Sequence, residues 1–170
     1  KKGNVSSSII TRNVSFFVYK SITFLYFCIA KTQMCLRFDK NEHDMKDFSE
    51  LIKTRRSIRQ FTEELLDGDA VKLLLRAGLM APSSKGLHSY EFIVVEDKQM
   101  LAALSQCKSV GSDFLAGAPL AIAVLADPAV SDVWVEDASV AAMNILLQAE
   151  DLGLGACWIQ VRNRYTTDEQ

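Results

Sequence analysis

Arg55-Arg56-Ser57-Ile58-Arg59-Gln60-Phe61 gathers three guanidinium groups and a hydroxyl within five residues. Guanidinium is the side chain best suited to gripping a phosphate, because its planar fork donates paired charge-assisted hydrogen bonds. Serine adds a compact donor and acceptor to the same cradle. A short amphipathic stretch with apolar Phe48, Leu51 and Ile52 comes directly before it. A solvated basic turn at a helix end, complementing the macrodipole, is therefore the competing reading of the same residues. Two further stretches keep this one company: the loop at Pro82-Ser83-Ser84 and the apolar segment Gly155 to Gln160.

Other chemistries fail on their own terms. Gly153-x-Gly155 lacks a third glycine and follows a helical pattern where a dinucleotide fingerprint follows a strand. Ser105-x-x-Lys108 has the serine–lysine spacing of penicillin-recognising enzymes, but no Ser-Asp-Asn or Lys-Thr-Gly accompanies it. There is no GxSxG, Walker loop or HExxH. Glu136 and Asp137 are neighbours on a helical pattern and point in different directions, which suits a helix N-terminus better than acid–base work. Cys28, Cys35, Cys107 and Cys157 show no CxxC spacing, so free buried thiols in a reducing, cytoplasmic compartment are expected instead of a metal site. Only His43 and His88 are available as histidines. A net charge of -2 without a long basic run argues against nucleic acid as a partner.

The elements that must position these residues lie after Met45. Asp47 to Thr54 reads as a short helix leading into the arginines. Asp69 to Met80 reads as a helix buried on more than one side, through Val71, Leu73, Leu74, Leu75 and Leu79. Ala81 to Gly86 breaks it as a loop. Phe92 to Val95 is a short strand, and Glu96-Asp97 can cap a helix running through Met100, Leu101 and Leu104 to about Cys107. Leu120 to Ala126 is almost unbroken in its apolarity, the mark of a strand covered on both faces. Val135 to Leu152 is the longest helix, apolar nearly all round, and Ala156 to Val161 is a third strand. Strands alternating with helices indicate a three-layer sandwich of α/β or α+β class. With 170 residues, 49% hydrophobic and 24% charged, one domain with a proper core is expected.

Residues 1–44 read differently, as an extension of doubtful structure ahead of a domain at 45–170. Val14 to Ala30 is apolar, rich in Phe and Tyr, interrupted by Lys20 and preceded by Lys1, Lys2 and Arg12. A signal peptide or membrane anchor has this general look, but the run is slightly short and its lysine makes it weak as a spanning helix. A translated upstream stretch, poorly packed, is the favoured expectation, with a membrane tether as the alternative. The sequons at Asn4 and Asn13 are short enough to arise by chance. Lys1 and Gln170 both read as a fragment's ends.

Three motifs in order carry a resemblance. Arg-Arg-Ser-Ile-Arg-x-Phe, then Ala-Pro-Ser-Ser before a Glu-Phe-Ile-Val-Val strand, then Gly-Leu-Gly-Ala-Cys-Trp-Ile after a long apolar helix, together resemble the nitroreductase family of FMN enzymes. The match runs from about Met45 to about Arg162. It implies a three-layer α+β fold with a central mixed sheet and a long buried core helix. It also implies a homodimer with two FMN sites at its interface. Arg55, Arg56, Ser57 and Arg59 would hold the phosphate and ribityl chain. Pro82, Ser83 and Ser84 would line the flavin from the partner subunit. Trp158, Ile159 and Gln160 would lie along the ring, the Gln160 N–H near N5. Hydride would pass from NADH or NADPH through the flavin to a nitroaromatic, quinone or similar small-molecule acceptor in a ping-pong sequence, with no catalytic side chain. The chain departs from many relatives in placing Gly86, His88, Ser89 and Tyr90 after the serines, and His88 could still donate to flavin or substrate. It also stops before the C-terminal Lys/Arg that completes phosphate binding in the family, so the domain is incomplete at that end. A cofactor-free or truncated relative, acting only as a dimerising or binding module, is the alternative reading.

Overall fold

The computed structural model describes residues 23–30 and 47–164. The basic residues Lys1, Lys2 and Arg12, the two sequons and the chain after Arg164 lie outside the described residues. Among the described residues four strands form one sheet: β1 (Thr23–Ala30), β2 (Tyr90–Val95), β3 (Ala121–Ala126) and β4 (Gly155–Gln160), in the order β2-β3-β1-β4. Four α-helices accompany them: α1 (Phe48–Thr54), α2 (Gly68–Leu79), α3 (Lys98–Ser105) and α4 (Trp134–Asp151). All three strand pairings are antiparallel; Tyr90 faces Ala126 across β2–β3, Thr23 faces Ala126 across β1–β3, and Leu25 faces Gln160 across β1–β4. The mixed character expected of the sheet is confined to one isolated parallel bridge, Ser57 to Ala156.

The alternation of β3 divides the core. Ile122, Val124 and Ala126 face α2 and α4, packing with Leu74, Ala141, Ile145 and Ala149. Ala121 and Ala123 face the other way, where Leu101, Leu104, Leu115 and Ile159 form a second cluster around α3. Successive strand residues point to opposite faces, so a continuous apolar strand feeds two cores at once. The expected three-layer α+β sandwich is the observed architecture.

Two expectations about packing change. The stretch placed outside the domain contributes β1, whose Ile29 is fully buried, between β3 and β4. A strand of this kind is held by partners about a hundred residues away, which local pattern cannot reveal. Helix α2 buries a single stripe, Leu74 and Gly78, while Leu73 and Leu79 are exposed. Likewise α4 is not covered all round: Val140 and Met143 face outward. Among the described residues, no helix is long and apolar enough to cross a membrane.

Local chemistry sets the ends of these elements. Asp67 accepts from the Asp69 and Ala70 N–H groups at 2.7 and 3.1 Å to start α2, and Asp97 accepts from Met100 N–H at 2.8 Å to start α3. Helix α4 stops where Gly153 turns to φ 68°, letting Leu154 N–H reach the Ala149 carbonyl at 2.8 Å and Gly153 N–H the Glu150 carbonyl at 3.0 Å. Glycine adopts that conformation without a Cβ clash, and the paired bonds satisfy carbonyls the helix end would leave open. The chain then returns along the helix as β4.

Candidate functional site

The arginine segment is fixed at both ends. Asp47 caps α1 by accepting from Glu50 N–H at 3.1 Å. The Thr54 hydroxyl at the far end of α1 lies 2.8 Å from both the Glu50 carbonyl and the Glu150 carboxylate, pinning α1 to the C-terminal turn of α4. Four residues later Ile58 N–H donates to the Ala156 carbonyl at 3.0 Å, so the segment runs beside the start of β4.

The three arginines within it differ. Arg56 donates from Nη1 to the Lys53 and Arg55 carbonyls, both at 2.8 Å, and so caps α1. Arg59 is exposed; its Nη1 sits 3.3 Å from the Ser57 carbonyl and its guanidinium lies over the Phe114 ring at 5.8 Å. Arg55 is half-buried and Ser57 exposed. Beneath them is the buried Cys157 thiol. Burial pushes its pKa up, opposed by Arg59, by a hydrogen bond from Ser57, and by Lys108 and Arg55. Arg59, Lys108 and Arg55 are thus all near enough to act on one thiol, and no carboxylate is ion-paired with Arg55, Arg56 or Arg59 among the described residues. That donor set fits a phosphate.

The strand completes this half. Because Ala156 turns its carbonyl outward to Ile58, the two-residue repeat of a strand turns the backbone of Trp158 and Gln160 to the same outer edge of β4. Trp158 Nε1 donates to Gln160 Oε1 at 3.0 Å, and Gln160 Nε2 to the Arg162 carbonyl at 3.3 Å. Ile159 is 1% exposed and belongs to the α3-side core, and its backbone, one residue out of step with Trp158 and Gln160, faces β1, where it pairs with Tyr26; the expected contact of Ile159 with a ring is therefore not offered by this edge.

The serine loop is built elsewhere. Ser84 N–H donates to Asp137 Oδ1 at 2.8 Å in the first turn of α4, and the Ser131 hydroxyl donates to Asp137 Oδ2 at 3.0 Å. His88 N–H donates to the Ser83 hydroxyl at 2.9 Å. Tyr90 spends its proton on the Ala81 carbonyl at 2.9 Å, so His88 Nδ1, 3.1 Å away, is the donor to Tyr90 Oη. The exposed His88 ring is thereby held through one nitrogen, with Nε2 on its far side. Lys85 and His88 have φ of 54° and 46°, a left-handed conformation that costs a non-glycine residue about 1 kcal/mol or more. Pro82 stands exposed at the start of the loop.

One chain does not bring the two halves together. The serine loop is tied to Asp137 and the arginine segment to Glu150, 13 residues or about 20 Å apart along α4. The loop leads into β2, and β4 is the opposite edge strand, three spacings or about 14 Å across the sheet. Sequence reasoning missed Asp137, Tyr90, Thr54 and Glu150 as parts of the site. Asp137 left a signal: it stands on the i, i+4 row with Ala141, Ile145 and Ala149, an ionisable residue on an apolar stripe. Among the described residues, no group of three or more His, Cys, Asp and Glu could hold a metal ion.

The nitroreductase family model matches residues 52–108 and 102–170. A solved FMN-dependent nitroreductase from Clostridium difficile is 55% identical, with a TM-score of 0.66, over 67% of this chain and 66% of that one. A protein of Archaeoglobus fulgidus with the provisional name NADH dehydrogenase/NAD(P)H nitroreductase is 39% identical over 124 residues, 71% of each chain. A nitroreductase-like structure from Desulfovibrio desulfuricans, solved in complex with FMN, is 32% identical, with a TM-score of 0.62, over 68% of this chain and 70% of that one. The match thus spans about two thirds of the length of these relatives.

Proposed function

This chain belongs to the nitroreductase family, and we propose that it is the FMN-binding part of a homodimeric oxidoreductase that takes hydride from NADH or NADPH. FMN, when bound, would accept the hydride and deliver it in a second half-reaction to a small acceptor such as a nitroaromatic or quinone. The chain's own residues bind and orient. Arg55, Ser57 and Arg59 would hold the phosphate, on the segment that runs beside the start of β4. Arg56 would contribute through the helix end it caps. The outer edge of β4 at Trp158 and Gln160 would offer backbone donors to the ring, and donors aimed at a group that gains negative charge on reduction favour that reduction. Pro82, Ser83, Ser84 and His88 would line the ring from the partner subunit.

One observation carries the dimeric reading: the two halves of the site are anchored at opposite ends of α4 and at opposite edges of the sheet. A second copy supplies what a single chain holds apart. A groove between α1, α2 and α4, where Leu51, Ala77, Met80 and Leu147 stand beside Asn144, Gln148 and Asp151, together with exposed Phe48, Ile52 and Leu79, gives that copy a largely apolar face to cover. A cytoplasmic location is part of the same reading and is supported by the free thiols of Cys107 and Cys157.

The deciding measurement is the visible spectrum of the whole protein, with its mass in solution. The expected result is a dimer with flavin bands that bleach anaerobically on adding NADH or NADPH. A colourless protein that also refuses added FMN would remove the function and leave the fold.

A further inference from the structure

We propose that Asp137 is a positioning residue for the flavin site, acting through the Ser84 N–H to set where Pro82 and Ser83 stand; this rests on the FMN reading above. Asp137 is 5% exposed, and its partners among the described residues are neutral: Ser84 N–H at 2.8 Å and the Ser131 hydroxyl, itself buried, at 3.0 Å. A buried carboxylate is costly unless hydrogen-bonded, and its place in the first turn of α4 adds the favourable end of the helix dipole. The carboxylate also reaches Tyr90, whose ionisation it opposes in addition to burial.

The loop it holds cannot hold itself. Lys85, Gly86 and His88 all take positive φ within Ser83 to His88. Backbone of that kind persists only where its surroundings over-determine it. The internal ties, Ser83 to His88 and Tyr90 to Ala81, fix the shape of the loop. The bond from Ser84 to Asp137 fixes its place against α4. A small displacement there is transmitted to the two residues just before it.

The geometry supplies its own controls. Asp137→Asn keeps an acceptor for Ser84 N–H and a donor for Ser131, whose hydroxyl can turn to accept. Asp137→Ala removes both. Ser84→Pro deletes the N–H together with the hydroxyl and keeps the backbone path: Ser84 is the first residue of a short 3-10 turn, where proline is favoured. The preceding Ser83 is already extended at φ −138° and ψ 155°, as a residue before proline must be. Ser84→Ala controls for the lost hydroxyl.

The experiment titrates FMN into the full chain and each variant, following flavin fluorescence at a temperature where circular dichroism shows each to be folded. The expected order is D137N within about threefold of wild type, D137A at least tenfold weaker than wild type, and S84P at least tenfold weaker than S84A. Wild-type affinity in folded S84P or D137A would overturn the proposal, as would D137N as weak as D137A. Should D137A not fold, S84P against S84A carries the test. A wild-type chain that takes up no FMN would instead sink the functional reading itself.

Discussion

Replacing Arg59 by alanine separates a phosphate ligand from a surface arginine. Among the described residues Arg59 makes one exposed bond, 3.3 Å to the Ser57 carbonyl, and a cation–π contact at 5.8 Å to Phe114. At an exposed site these amount together to about 1 kcal/mol, so Arg59→Ala lowers the melting temperature of the apoprotein by roughly 2–4 °C. A charge-assisted bond to phosphate contributes about 1.5–3 kcal/mol, which raises the Kd for FMN roughly 10- to 150-fold. Riboflavin, which carries no phosphate, is the control and binds the variant as it binds wild type. Arg56→Ala is the internal comparison: its guanidinium is spent on the Lys53 and Arg55 carbonyls. It therefore frays the end of α1 and weakens FMN by a smaller factor than Arg59→Ala. Fluorescence titrations of both flavins against both variants decide the matter. Unchanged FMN affinity in Arg59→Ala, or an equal loss of FMN and riboflavin, would refute the placement of the phosphate.

Gly78→Ala tests the close approach of α2. A Cβ at Gly78 would stand 2.7 Å from Phe92 Cζ and 2.9 Å from Ile145 Cδ1. Alanine gains up to about 1 kcal/mol of helix propensity, but overpacking costs about 1–3 kcal/mol, so a net loss of about 1 kcal/mol and a melting point roughly 2–4 °C lower are expected. An unchanged or higher melting point would contradict this packing. Alkaline pH should also destabilise the fold. Burial raises Cys107 and Cys157 above the ordinary thiol value of 9.0 and Tyr90 above 10.0. The unfolded chain then gives up these protons before the native one does, so stability is fully present below about pH 9 and falls as pH rises beyond it. Urea melts at pH 8, 9 and 10 check the sign, and a midpoint that holds or rises would refute it.

The fold was legible where a local pattern coincided with burial on both sides. The apolar run ending at Ala126 is β3, and the long stretch up to the glycines is α4, closed by Gly153 at positive φ. Strand β1 was not legible. Its pairing residues lie near 121–126 and 155–160, and an apolar run with a lysine beside it carries no record of distant partners. The inner and outer sides of α2 were hard to separate because Leu73, Leu74 and Leu75 follow one another, and only Leu74 is fully buried. Within the site, residue type named the arginines but could not tell Arg56 from Arg59. Which of two adjacent guanidinium groups turns back on its own helix depends on the backbone leaving α1, where Arg55 is already extended at ψ 131°.

Helix α4 gives the candidate site its logic. Its first turn holds the serine loop through a buried carboxylate, and its last turn holds the arginine segment through Thr54. A rigid rod of 18 residues cannot fold back to join its own ends. In the dimeric reading a two-fold axis does that work: the loop of each copy meets the arginine segment of the other, and closure yields two identical sites. The same argument explains why small residues dominate the inner face, since Ala138, Ala141, Ala142 and Ala149 let the rod lie close to the sheet that carries β4. It also explains why Val140 and Met143 can remain on the outer face of a core helix. In a lone chain those side chains stand in water; in the dimeric reading a second copy would cover them.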